Sequence, residues 1–249
     1  TVRWCLSIKP FHVKHREGKM FEKTGADNRK TACTRCHYRS DAGCSTTEVL
    51  HQFSESLGEA IDAKDPFTSL HSAEVAEVAY ILSLTLGLSH AEADLVHIAG
   101  HLHDIGKIGV PDSILKKAGP LDEREWAILK RHPDAGADIL RPVEALESTG
   151  IVSMVRSHHE RFDGGGYPEG LKGCDIPIGA RIIALADSLS AIMQNRPYRP
   201  ARSFDFAVGE ILSCRGTQFD PAVVDAFTAS LESIQDVMRL NEPPRERVA

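Results

Sequence analysis

No stretch of this 249-residue chain stays apolar for anything near the roughly 20 residues that a membrane span needs, and its start lacks the pattern of a secretory signal. The reading is a cytoplasmic protein with no membrane span. Basic excess is missing too: 29 Lys and Arg stand against 35 Asp and Glu, for a formal net charge of −6 and a pI of about 6.0. That argues against non-specific binding to duplex nucleic acid and leaves room for one local basic pocket around a small anion. Cysteine is scarce beyond the first 44 residues, where only Cys174 and Cys214 follow, and both read as packing residues. What is present is 42% hydrophobic content, enough over this length for one large domain, alone or with a small appendage.

The informative run is Leu95 to Asp112, centred on His103-Asp104-Ile105-Gly106-Lys107. Apolar residues at 95, 98, 99 and 102 form a helical stripe, so His103 and Asp104 fall at a helix end that Gly106 and Gly109 break. Neighbours in regular helix diverge by about 100° around the axis, but at a fraying C-terminus an imidazole and a carboxylate can share an ion. Alone, the run also reads as a polar helix end with a Gly stop. His71, His132, the pair His158-His159 and Asp187 recur on or beside separate helical segments, and a bundle can converge them on one dinuclear centre.

Residues 1–46 form a Cys-rich, basic N-terminal segment, a possible metal-binding module, residues 47–240 the main domain, and residues 241–249 a frayed tail. In the first, Cys33, Cys36 and Cys44, with Cys5 or His37 as fourth ligand, suit a structural zinc ion, because a two-residue spacer lets two thiolates grip one tetrahedral metal. An incidental thiol cluster is the second reading, and the third is c-type haem attachment through Cys33-Thr34-Arg35-Cys36-His37 with His37 as axial ligand, which would need an exported segment.

In the main domain, helices are expected over 47–63, from near Thr68 to Gly87, from Ser89 to Asp104 behind a capping box, from Leu121 to His132, over 139–159, from Pro177 past Ile192, and after Pro221. The 139–159 helix is expected to pack through Val143, Leu146, Ile151, Val152 and Val155, and Pro133 to bend the path at His132. Asp187 lies in an apolar run, where a buried carboxylate needs a cation or a hydrogen-bond network. His97 and His101 read as histidines that ligate nothing. The run Glu160-Arg161-Phe162-Asp163-Gly164-Gly165-Gly166-Tyr167-Pro168 supplies a loop whose backbone can approach a ligand, with Tyr167 as a stacking face.

His71-Ser72, His103-Asp104-Ile105-Gly106-Lys107, His158-His159-Glu160 and Asp163-Gly164-Gly165-Gly166-Tyr167-Pro168 together resemble the motifs of the HD-GYP family, over roughly residues 60 to 230 and in the family's order. The resemblance implies an all-α, HD-type helical bundle around a dinuclear metal site. It implies a metal-dependent phosphodiesterase acting on cyclic di-GMP, yielding pGpG and onward GMP, in bacterial second-messenger signalling. Asp104 would bridge the ions, His71, His103 and Asp187 would complete one shell, and His132, His158 and His159 the other. Such mixed imidazole and carboxylate ligation suits iron or manganese, and also takes zinc or nickel. Lys107 would face a phosphate or protonate the leaving oxygen, while Gly166, Tyr167, Arg196 and Arg199 would meet the dinucleotide. The Gly-Tyr-Pro loop would also dock a signalling partner such as a diguanylate cyclase.

Two positions depart from the family's pattern. Ser190 stands where a second aspartate is common, which bears on the substrate end of the pocket, and Phe67 stands where some members have a third-metal glutamate, so two metals are expected. Two other readings fit in part: a cyclic-dinucleotide sensor or docking module with little turnover, and a general nucleotide phosphohydrolase. The Tyr loop and the Arg196/Arg199 pair argue against the latter.

Overall fold

A computed structural model describes residues 46–65, 70–195 and 200–240. Among these the secondary structure is helical, with no strand and one isolated bridge between Arg215 and Phe219, so the expected all-α bundle is what forms. The helices are α1 (Thr46–Lys64), α2 (His71–Thr85), α3 (His90–Leu102), α4 (Asp112–Leu115), α5 (Glu123–Leu129), α6 (His132–Leu140), α7 (Glu144–Ser148), α8 (Ile151–Ser157), α9 (Ile178–Met193), α10 (Phe204–Ser213), α11 (Pro221–Ala229) and α12 (Leu231–Leu240). Two 3-10 turns, Ile105–Gly109 and Gly173–Asp175, complete the described chain.

α2 is the central helix. It is buried on nearly every side, through Val75, Ala76, Val78, Ala79, Ile81 and Leu82, as a helix without a polar face must be. α3 and α9 pack against it, and the core runs on through Ile98, Leu102, Ile182, Ile183, Leu185, Leu189 and Phe227. α3 starts in the expected capping box, the Ser89 hydroxyl accepting from the Glu92 backbone while the Glu92 carboxylate accepts from the Ser89 backbone. α5 repeats the device with Asp122 and Glu125.

The structure departs from sequence expectation at several helix ends. α2 begins at His71, not near Thr68, because Leu70 adopts a left-handed backbone (φ 64°) that helix cannot continue through. Its cap comes from another helix: Asp62 of α1 accepts from the Ser72 backbone at 2.9 Å and from the Ser72 hydroxyl at 2.9 Å. The stretch 139–159 is three helices, interrupted around Pro142 and at Gly150 (φ 81°), and Val143, expected to pack, is exposed. α5 stops before His132, and Pro133 sits in the first turn of α6, where its missing N–H costs nothing. The C-terminal helix expected after Pro221 is followed by a second, α12, which packs through Ile234 and Met238.

Candidate metal centre

Five histidines and two aspartates from five segments meet at one end of the α2–α3–α9 core, and local chemistry explains how four of the imidazoles arrive correctly turned. The last carbonyls of a helix have no intrahelical N–H to accept from. His103 closes α3 and directs Nδ1 at the Gly100 carbonyl (2.7 Å), His158 closes α8 and directs Nδ1 at the Val155 carbonyl (2.6 Å), and His132, just past α5, does the same to Leu129 (2.8 Å). Each bond spans three residues. Nδ1 then carries the proton, and the Nε2 lone pair is left for a Lewis acid.

His71 reaches the same state by another route. Its Nδ1 lies 2.9 Å from the Ser190 hydroxyl, which donates to Glu74 Oε2 at 2.5 Å, and Gln194 Nε2 donates to the same carboxylate at 3.1 Å. Ser190 therefore stands behind a histidine of the centre, held by two groups of its own. Sequence reasoning missed Glu74. The available signal was the one that singled out Asp187: a carboxylate in an apolar helix, here three residues from His71.

Asp104 occupies the middle. Its Oδ1 faces His132 Nε2 at 3.2 Å and His158 Nε2 at 4.0 Å, while its Oδ2 faces His103 Nε2 at 3.3 Å and His71 Nε2 at 3.8 Å. Asp187 Oδ1 lies 3.2 Å from His71 Nε2. Two groups able to hold a metal result, His71, His103 and Asp104 on one side and Asp104, His132, His158 and His159 on the other, with Asp104 common to both. The close placement of His132 depends on Gly106: a Cβ there would lie 1.9 Å from the His132 carbonyl oxygen, so only glycine lets the 3-10 turn press against the start of α6. Lys64, at the end of α1, fixes that turn from outside by donating to the carbonyls of Lys107, Ile108 and Val110 at 2.7 to 3.0 Å.

Charge in the centre is set for a cation. Burial acts to raise the Asp104 carboxyl, but the Lys107 ammonium and His103 outweigh it and hold the group well below the usual carboxylate range. Asp187 is likewise held low against burial, by the His71 ring 3.2 Å away and by His103. Burial, followed by the neighbouring imidazoles, lowers His158 well below its ordinary value and His159 to about 3, so both are neutral donors at physiological pH. His103 is the exception: burial lowers it, but the Asp104 and Asp187 carboxylates and the Gly100 carbonyl bring it up to about 9. The Nε2 atoms of His71 and His103 are buried without a hydrogen-bond partner, although each lies within 3.3 Å of a carboxylate oxygen. Two unpartnered Nε2 atoms converging beside two anions are what a divalent ion would satisfy, displacing the proton that His103 otherwise holds, and the donor set fits one.

At the rim, Lys107 Nζ donates to Asp104 Oδ2 at 2.5 Å. The Tyr167 ring lies 4.9 Å from that of His159, with Lys130 Nζ 5.3 Å from its centroid, and burial pushes its phenol above the usual value. Glu160 shapes this loop by accepting from the backbones of Glu169 (2.7 Å) and Gly170 (3.0 Å). Gly166 does permit a close approach, but to the chain itself: a Cβ would lie 2.3 Å from the Arg161 nitrogen and 2.5 Å from the Glu160 Cα. Arg196, Arg199, Phe67, Cys5, Cys33, Cys36, His37 and Cys44 lie outside the described residues. Since α2 starts at His71, helical spacing does not carry the argument back to residue 67.

Among known families, the HD domain matches residues 55–223. In sequence the chain is similar to the cyclic di-GMP phosphodiesterase response regulator RpfG of Xanthomonas campestris, 40% identical over 182 residues that cover 73% of this chain and 48% of that protein. It is also similar to the 3'3'-cGAMP-specific phosphodiesterase 2 of Vibrio cholerae, 37% identical over 196 residues that cover 76% of this chain and 38% of that protein. The chain thus spans less than half the length of either relative. A cyclic GMP-AMP-specific phosphodiesterase of V. cholerae shares the fold, with a TM-score of 0.57 at 21% identity over 77% of this chain and 53% of that one. The chain belongs to the HD domain family and carries the motifs of its HD-GYP branch.

Proposed function

We propose that this chain is a metal-dependent phosphodiesterase that hydrolyses a cyclic dinucleotide, cyclic di-GMP, to pGpG and onward to GMP. One observation carries the reading: the two oxygens of a single buried carboxylate, Asp104, face separate groups of imidazoles. His71, His103 and Asp187 would hold one divalent ion and His132, His158 and His159 the other, with Asp104 shared. Mixed nitrogen and oxygen donors without thiolate favour iron or manganese, and also accept zinc or nickel. Such a pair supplies Lewis acidity toward a phosphoryl oxygen and makes water acidic enough to attack at neutral pH.

The remaining work falls to the chain. Lys107, whose ammonium donates to Asp104 Oδ2, would meet a phosphate oxygen and give its proton to the departing ribose oxygen. Tyr167, half-buried beside His159, offers a neutral ring against which a guanine can stack, and Arg196 and Arg199 would bind phosphate or a guanine edge in bidentate fashion. The Gly166-Tyr167-Pro168 loop is where a signalling partner such as a diguanylate cyclase would dock.

Turnover tests the reading. Purified chain loaded with iron or manganese should release pGpG from cyclic di-GMP, and parallel assays on 3'3'-cGAMP rank the two substrates. Metal-loaded protein that binds cyclic di-GMP but turns over neither dinucleotide would contradict it.

A further inference from the structure

A second histidine cluster lies apart from Asp104. His97 and His101 are one turn apart on α3, so they present on one face of the helix, with ring centroids 4.7 Å apart. His51 of α1 stacks on His97 at 4.5 Å with 23° between the planes and meets His101 edge-on at 6.2 Å. One nitrogen from each ring lies within 4.8 Å of the other two. His97 and His101 are only 4% and 5% exposed, whereas His51 is half-buried.

We propose that His51, His97 and His101 bind one transition-metal ion of the zinc, nickel or copper(II) class, which ties α1 to α3. Packing alone does not account for the trio. His51 Nε2 and His97 Nδ1 are buried without a hydrogen-bond partner, and each such atom carries a desolvation cost that an aromatic hydrocarbon in its place would not. An ion recovers that cost by taking both lone pairs. The second nitrogen of His97 is arranged as a ligand's usually is: Nε2 lies 3.6 Å from Glu77 Oε1 of α2, so metal at Nδ1 would leave its N–H toward a carboxylate. Nitrogens at most 4.8 Å apart must close to roughly 3.3 Å around a tetrahedral ion with bonds of about 2 Å, and rotation of the half-buried His51 can supply that. Three imidazoles with one side open to solvent also leave a fourth position for water.

The donor set separates this site from the first. It has three imidazoles, with Glu77 and Asp94 beside them but no bridging anion, so it suits a single imidazole-preferring ion. α1 also carries Lys64, which grips the turn bearing Lys107, so an ion here would fix the helix that positions that turn.

Zinc alone is the probe. The full chain is equilibrated with excess Zn2+, dialysed, and its zinc measured beside that of His51→Phe, which keeps the ring stack and removes the nitrogen. The difference between the two proteins isolates this site from metal held elsewhere. The wild type should retain one more equivalent, and Glu77→Gln should weaken that equivalent on the order of 10- to 100-fold. Zinc-edge anomalous diffraction should place a peak among the three rings. Equal zinc in wild type and His51→Phe, with no peak there, would overturn the proposal.

Discussion

α3 contributes to two histidine clusters, and the two are built on opposite principles. At the end of α3 and α8 and just past α5, each imidazole spends Nδ1 on a carbonyl that the helix terminus leaves unsatisfied, so Nε2 is aimed before any ion arrives. Within α3, His97 leaves Nδ1 without a partner, and the rings of His97 and His101 rest on each other and on His51. The first cluster surrounds two anionic carboxylates; the second is three imidazoles with Glu77 and Asp94 at its margin. Helix ends thus give preorganised, charge-balanced ligands suited to chemistry, whereas a helix face gives a neutral clamp suited to holding elements together.

Removing Asp104 should break the contrast most completely. Asp104→Ala is expected to lose both ions of the first cluster and all measurable turnover, read by metal analysis and product release, while zinc retention by His51, His97 and His101 persists. Near-normal metal content and turnover in that variant would contradict the bridging role. Lys107→Met should be next, with turnover reduced on the order of 100-fold and metal content unchanged, because its proposed work is on substrate oxygens. Loss of the metals in this variant would show that Lys107 is structural.

Ser190→Ala sharpens the comparison from behind His71. Without the hydroxyl the ring is free to turn, and metal affinity on that side should weaken on the order of 10- to 100-fold, with Ser190→Thr restoring it. An unchanged affinity would mean that Glu74 and Ser190 do not position the ring. Glu74 adds a pH signature. Burial, opposed by hydrogen bonds from Ser190 and Gln194, pushes its carboxyl from 4.5 to about 7. The folded state then holds this proton after the unfolded chain has released it. Stability from this group is complete below pH 4.5 and declines toward pH 7, on the order of 3 kcal/mol in all. Glu74→Gln should flatten that part of the metal-free protein's denaturation profile. The smallest effect is expected from His51→Phe, whose cyclic dinucleotide turnover should stay within about twofold of wild type, since no reacting group touches it.

The seven residues gathered at the centre were legible because their signals are local: a helix end before Gly106, vicinal histidines before a glycine loop, an aspartate in an apolar run. The breaks at Pro142 and Gly150 were equally local, but hydrophobic spacing over 139–159 masked them. What the sequence hid depends on which helices are neighbours. Ser190 acquires its role only once α9 lies on α2 beside Glu74, and His51 joins His97 and His101 only once α1 lies on α3. Left-handed backbone at Leu70, a residue with no special claim to it, gave no warning that α2 would start at His71.

The central claim, that one carboxylate joins two ions, is tested most directly by anomalous diffraction from crystals grown with excess manganese. The account predicts two peaks flanking Asp104, one beside His71, His103 and Asp187 and the other beside His132, His158 and His159. A single peak, or two that do not share Asp104, would contradict it.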